Sequence, residues 1–258
     1  MRLMKRILSA AAVLALSASL LVGCSSGTAS SVPVSASSAA ESTVSSVEET
    51  ASSAVDENEA AAAQLLNDLT GSYQELWPVI LADEYQQTWL DDCTALVGEE
   101  NAEAAFEKLS SMVTGDVYGE DAVEAYANGG GAYFCGFTND LATLTFDGET
   151  STISGTDKDG NEVFSHTYHY IGMEPVRGLY EFESDDADSG EFTYFFLAPD
   201  TSAETYHIEF RYGSDAYALS QYDAGDYAYW VASGISTDCD QTMIDNCIEL
   251  FCTENLAG

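Results

Sequence analysis

The sequence predicts an α+β fold that is mainly β, with helices before and after a run of short antiparallel strands. Apolar residues recur at helical spacing between residues 60 and 113, and again between residues 239 and 252. Between these regions the chain carries short alternating runs, rich in aromatic residues and separated by turn residues. The change of pattern follows Gly129-Gly130-Gly131, which interrupts regular structure.

The helical pattern predicts three helices before the strands and one after them. The first begins at Ala60 and is expected to continue to Pro78, where the proline ends or kinks it. The second covers Asp83–Leu96, and the third covers Asn101–Val113 with its first residue as the N-cap. The C-terminal helix covers Cys239–Cys252.

The alternating runs predict eight strands, with hairpin turns at residues 147–148, 159–160 and 189–190. Eight up-and-down antiparallel strands suggest a small closed barrel or meander of the lipocalin-like kind. The predicted strands are Ala132–Thr138, Ala142–Phe146, Thr150–Ser154, Glu162–Gly172, Val176–Glu183, Glu191–Leu197, Glu204–Tyr212 and Asp215–Gln221.

The N-terminus has the three parts of a bacterial lipoprotein signal. Residues 2–6 include three basic side chains, residues 7–22 are almost wholly apolar, and the segment ends in Leu21-Val22-Gly23-Cys24. This pattern predicts a signal peptide over residues 1–23, cleavage before Cys24 and lipidation of its thiol. The alternative is a transmembrane helix, but the apolar run is short for a span of about 20 residues. We therefore expect an extracytoplasmic protein that is lipid-anchored to the bacterial cell membrane.

Composition divides the rest of the chain. Residues 24–58 are rich in Ser, Ala and Glu and too poor in large apolar side chains to form a core, so they predict a disordered tether. Residues 59–258 have the size of one domain. Beyond residue 23 there are four basic and 44 acidic residues, a formal charge of −40. Such a charge repels nucleic acid, which we exclude as a partner, and it attracts cations.

The predicted domain has five cysteines, an odd number, so at least one is not paired within the chain. There is no CxxC, which argues against a zinc ribbon and a thioredoxin-like site. Spacing alone leaves the pairing open. The five are Cys93, Cys135, Cys239, Cys247 and Cys252.

One predicted strand carries a candidate metal site. His207 and Glu209 lie two residues apart and therefore on the same strand face, whereas Ile208 and Phe210 lie on the other. An imidazole and a carboxylate together make half of a divalent-metal site, and Asp200 could supply a third ligand. The alternative is a polar strand face that is simply solvated.

Other motifs predict less. His166 and His169 are three residues apart on a strand, so they point to opposite sides and cannot share a ligand site. The segment 157–161 resembles part of a calcium loop but lacks acids at the first and last loop positions, so a hairpin turn is expected. No nucleophile, phosphate-loop or HExxH motif is visible, and we expect no enzyme.

At several points the chain resembles the ZinT (YodA) family of extracytoplasmic zinc-binding proteins, over most of residues 65–235. Residues 68–78 look like the opening helix of that family, and residues 175–183 resemble its "GVRYLFE" strand. Residues 185–194 resemble "TDADAGQFKY", and residues 207–213 fall on "HFHIFFG" at equal length.

The resemblance implies a lipocalin-like barrel with a zinc site at one open end, for zinc capture or delivery to a metal ABC uptake system. The family's ligands are three histidines, one in an "SDH" step and two in "HFH". His207 matches the first of the pair, Glu209 stands at the second, and Asp200 falls near the "SDH" histidine. A different register would put Thr205 and His207 on "HFH".

Two functions follow as hypotheses. The first is a surface lipoprotein that binds a divalent metal, with zinc as the expected ion, through His207, Glu209 and Asp200. The second is a metal-free ligand-binding or interaction barrel that has lost the site, with Tyr- and Phe-rich strands lining a cavity or a contact surface.

Overall fold

A computed structural model describes residues 57–198 and 207–256, all within one compact unit. The expected signal peptide, Cys24 and nearly all of the expected tether lie outside these residues and stay predictions. None of the helices in the described part of the chain is long and apolar enough to span a membrane.

Eight antiparallel strands form a closed barrel, which confirms the predicted fold class. Each strand pairs with the next along the chain, and β8 pairs with β1 to close the ring. The lipocalin-like architecture follows from this up-and-down order. The strands are β1 Gly71–Glu75, β2 Thr143–Asp147, β3 Thr152–Thr156, β4 Glu162–Met173, β5 Tyr180–Ser184, β6 Tyr194–Leu197, β7 His207–Gly213 and β8 Ala232–Ser236.

Alternation along the strands fills the barrel with large side chains. Leu144, Ile153, Phe195, Phe210 and Tyr212 are all fully buried in one core cluster. The three aromatic rings of this set stack on one another: the ring centroids of Phe195 and Tyr212 are 5.3 Å apart, and those of Phe195 and Phe210 are 6.3 Å apart. One hypothesis was that aromatic side chains line a cavity. The rings of Phe195, Phe210 and Tyr212 instead pack against each other inside the barrel.

Seven α-helices and two short 3-10 helices, Asp83–Tyr85 and Gly190–Phe192, accompany the strands in the described residues. A second core cluster joins several of them to Ile235 of β8, so a helical layer covers the outside of that strand. Gly98 alone joins α3 to α4 with a φ of 86°, a conformation that favours glycine. The helices are α1 (residues 57–68), α2 Leu76–Ile80, α3 Gln86–Val97, α4 Glu99–Val113, α5 Glu120–Ala127, α6 Ala216–Leu219 and α7 Gln241–Leu256.

The prediction of one continuous helix from Ala60 to Pro78 is wrong. The helix stops after residue 68, and β1 follows before α2 begins. The reason is tertiary: the segment Gly71–Glu75 pairs with β2 on one side and β8 on the other, and Tyr73 enters the barrel core. Pro78 lies in the first turn of α2, where its missing N–H costs little.

Two predicted strands are also wrong. Between Ala132 and Thr138 only Phe134 forms β-bridges, and these are isolated. The segment Asp215–Gln221 contains the short helix α6, because the Asp215 side chain accepts a hydrogen bond from the Ala218 amide and caps it. The total is still eight strands, because β1 and β8, which the sequence pattern did not indicate, take the place of the two that are absent.

The remaining corrections concern boundaries. The third predicted helix begins at Glu99, so Asn101 lies in its first turn and Gly98 is the N-cap. The helix α5 was not predicted. The other predicted strands and the C-terminal helix are present with ends shifted by a few residues.

We expect the barrel interior to dominate stability. Phe210→Ala removes a fully buried ring from the core and should lower the free energy of unfolding by about 3–5 kcal/mol in urea titrations. Tyr217→Ala, at a side chain that is 76% exposed, should change it by less than about 0.5 kcal/mol. Equal effects of the two substitutions would contradict a packed interior.

Candidate functional site

The outer face of β7 carries the predicted imidazole and carboxylate together. Ile208 and Phe210 point into the barrel and are 1% and 0% exposed, so His207 and Glu209 point outward. In the ladder with β8, His207 lies opposite Ile235 and Glu209 lies opposite Ser233. His207 is half-buried and Glu209 is exposed. The outer face of β7 thus offers one nitrogen and one carboxylate from neighbouring outward positions.

The surroundings of Glu209 are partly closed. Ser233, which lies opposite Glu209 on β8, is buried. The Ser233 amide donates to the Cys135 carbonyl oxygen over 3.0 Å. Burial, and after it the negative charge of Glu209, raises the pKa of the Cys135 thiol to about 12. Cys135 is therefore a neutral thiol at physiological pH and not a ready-made thiolate ligand.

The described residues contain no group of three or more His, Cys, Asp or Glu side chains placed to hold a metal ion. His207 and Glu209 alone are fewer than the three or four protein ligands that zinc usually takes. Asp200, the predicted third ligand, lies outside the residues that the structure describes.

The other two histidines each form a separate pair with an aspartate. His166 Nδ1 lies 2.9 Å from Asp186 Oδ2, and His169 Nδ1 lies 2.8 Å from Asp185 Oδ1. The two imidazoles lie on opposite faces of β4, as the strand alternation predicted: His166 stacks near Phe164, whereas His169 is exposed. These pairs fasten the segment after β5 to β4 and do not converge on a common ligand position.

The calcium-like segment 157–161 is a hairpin turn, as predicted. Asp157 Oδ1 accepts hydrogen bonds from the amides of Asp159 and Asn161, both over 2.8 Å. The side-chain hydrogen bond from Asn161 and then these backbone donors lower the pKa of Asp157. Gly160 takes a φ of 81°. The carboxylate serves its own turn, with Gly160 providing the tight reversal.

Sequence reasoning missed a cluster of two arginines on the ring of Tyr222. The guanidinium carbons of Arg177 and Arg211 lie 4.0 and 4.3 Å from the ring centroid. Arg211 is fully buried on the outer side of β7, and its guanidinium donates to the carbonyl oxygens of Leu219, Gln221 and Tyr227. It thereby holds the segment after β7 against the barrel. Only the strand alternation, which puts Arg211 on the face of Glu209, could have drawn attention to it.

Comparisons with known proteins found six similar chains among solved structures, including two structures of Streptococcus pneumoniae AdcA. No family model and no curated protein matches the chain. The Zn(II)-bound ZinT-like domain of Streptococcus pneumoniae AdcA is 15% identical, with a TM-score of 0.45 over 71% of this chain and 89% of that domain. The Zn(II)-bound AdcA protein from the same species is 14% identical, with a TM-score of 0.42 over 72% of this chain. The chain spans 35% of the length of AdcA.

Buried acids of high pKa predict a loss of stability in alkali. Burial raises the pKa values of Cys135, Cys247, Tyr126 and Tyr222 to about 12, from ordinary values of 9.0 for thiols and 10.0 for phenols. Below pH 9 the stabilisation is complete, and it is lost as pH rises from 9 through 12, because the unfolded chain ionises first. Arg211, with its pKa lowered to about 10, acts in the opposite direction but is one group against four.

The urea midpoint should therefore be constant up to about pH 9 and fall between pH 9 and 11 at fixed ionic strength. Cys135→Ala should make the first part of this decline shallower, because it removes one of the buried thiols, and thiols ionise before phenols when the chain unfolds. A midpoint that stays level or rises up to pH 11 would contradict the effect of burial on these groups.

Proposed function

We propose that this protein binds a divalent metal ion, zinc in the first place, on the outer face of β7. His207 provides the imidazole ligand, and Glu209 and Asp200 provide carboxylates. The role is metal capture, or delivery to a metal ABC uptake system, by a protein that is lipid-anchored through Cys24 outside the cell membrane. We propose a binding role and no catalysis.

The observation that carries the proposal is the shared face of His207 and Glu209. The buried Ile208 and Phe210 fix the orientation of β7, because turning the strand over would expose two core side chains and bury a carboxylate. The imidazole and the carboxylate are therefore held on one side by the packing of the barrel. Two ligands held in this way need no folding of their own when a cation binds.

Asp200 is proposed as the third ligand because of its place in the sequence just after β6, the strand that pairs with β7. The pairing runs to Leu197 opposite Phe210, and the Ala198 amide donates to the Glu209 carbonyl oxygen over 2.9 Å. Asp200 follows this backbone contact of Glu209 by two residues of sequence.

The chemistry of the donor set agrees with a divalent ion. Zinc accepts imidazole nitrogen and carboxylate oxygen at about 2.0–2.2 Å, and a set with two carboxylates also suits harder ions such as manganese. The strongly acidic surface raises the local concentration of cations around the domain. The motif resemblance to zinc-binding proteins described above points to the same strand.

Calorimetric titration of the full chain with zinc tests the proposal. We expect one saturable site, binding that weakens toward acid pH because the imidazole must be neutral to coordinate, and release of protons on binding. His207→Ala should lower the zinc affinity at least about tenfold. Glu209→Gln and Asp200→Asn should each lower the zinc affinity by a smaller factor, because each keeps the imidazole ligand.

His169→Ala is the matched control, because His169 is an exposed strand imidazole that pairs with Asp185 away from β7. It should leave zinc affinity unchanged. A chain that binds neither zinc nor manganese saturably, or that binds them equally well as His207→Ala, would leave the metal-free barrel as the better hypothesis.

A further inference from the structure

We propose that Cys93 of α3 and Cys252 of α7 form a disulfide that locks the C-terminal helix onto the helical layer. The spacing of the five cysteines left their pairing open, and the tertiary structure singles out this pair. The inference is independent of the metal site, which involves none of these atoms.

The two sulfur atoms already face each other. Their Sγ atoms are 3.9 Å apart, and both side chains are fully buried between the two helices. A disulfide requires an S–S distance of about 2.05 Å, so the two sulfurs have to move closer together for the bond to form.

The neighbouring aromatic residues hold the helices in the same register. Trp89 lies one turn before Cys93 on α3, and Phe251 precedes Cys252 on α7. Their ring centroids are 6.0 Å apart in an edge-to-face contact. The Trp89 indole N–H also donates to the Ile80 carbonyl oxygen over 2.7 Å, which fixes the ring. Contacts one step away from the sulfurs therefore keep the two thiols opposed.

The bond forms by thiol–disulfide exchange. One thiolate attacks the disulfide of an oxidant, either a protein dithiol oxidant or oxidised glutathione, and releases one of its sulfurs as a thiol. The second cysteine then attacks the mixed disulfide and releases the other. Cys93 and Cys252 together lose two protons and two electrons, and the oxidant becomes two thiols. Export out of the cytoplasm, proposed above, provides an environment where such oxidants persist.

Burial decides when this exchange occurs. Desolvation raises the pKa values of both thiols, so few thiolates exist once the helices have docked. Exchange therefore takes place during folding or when α7 opens, and the finished bond is shielded from reductants afterwards. The bond closes a loop of about 160 residues. It therefore stabilises the folded chain strongly, because it lowers the conformational entropy of the unfolded chain.

Peptide mapping tests the pairing directly. The full chain is refolded in a mixture of reduced and oxidised glutathione, alkylated in denaturant without reduction, and cleaved after glutamate. Cleavage places Cys93 in residues 85–99 and Cys252 in residues 250–254, each as the only cysteine of its peptide, and separates Cys252 from Cys247. We expect the two peptides to be joined, 2 Da lighter than the sum of their thiol forms.

Variants and melting add a second measurement. Cys93→Ala and Cys252→Ala should each abolish the joined peptide, whereas Cys247→Ala, at a buried cysteine of the same helix, should retain it. Reduction of the wild-type chain should lower its melting temperature by roughly 10 °C. Full alkylation of both cysteines after refolding, or joining of either one to a different cysteine, would overturn the inference, and this result needs no variant to fold.

Discussion

The pairing of β8 with β1 is the constraint on which the rest of the structure depends. It joins Gly71–Glu75 to Ala232–Ser236, segments about 160 residues apart, and so removes the two open edges of the sheet. Closure turns one face of every strand into an interior that aromatic side chains fill. Closure also gives each strand a fixed outer face. The helical layer packs against the outer face of β8, at Ile235.

The outer face of β7 follows from this closure. With Ile208 and Phe210 committed to the interior, His207 and Glu209 have to face outward, beside the edge of the helical layer at Ile235. Arg211, two positions further on, follows the same alternation: it is fully buried on the outer face, and its two terminal nitrogens donate to backbone carbonyls of the following segment. Two kinds of core therefore meet at this strand: the aromatic interior and the second core cluster, in which or against which all five cysteines of the domain pack.

Sequence reasoning reached most strands of the barrel, since alternation is a local property and β2 to β7 show it. It failed at β1, where Leu76 and Trp77 continue a helical spacing that began in α1, and local propensity was overridden by pairing with two strands. It failed at Asp215–Gln221 because a single capping carboxylate outweighed an alternating pattern. At the candidate site, the common face of His207 and Glu209 could be derived from spacing alone, while Cys135, Ser233 and the tyrosine–arginine cluster could not.

The sequence by itself determined the fold class, the strands β2 to β7, and which side chains of β7 share a face, because these depend on periodicities within a few residues. Only the tertiary structure decided which strands close the ring, which aspartates meet His166 and His169, and which cysteines oppose each other. Those contacts join residues far apart in the chain. No local pattern encodes them, because they arise from the packing of whole elements around one closed sheet.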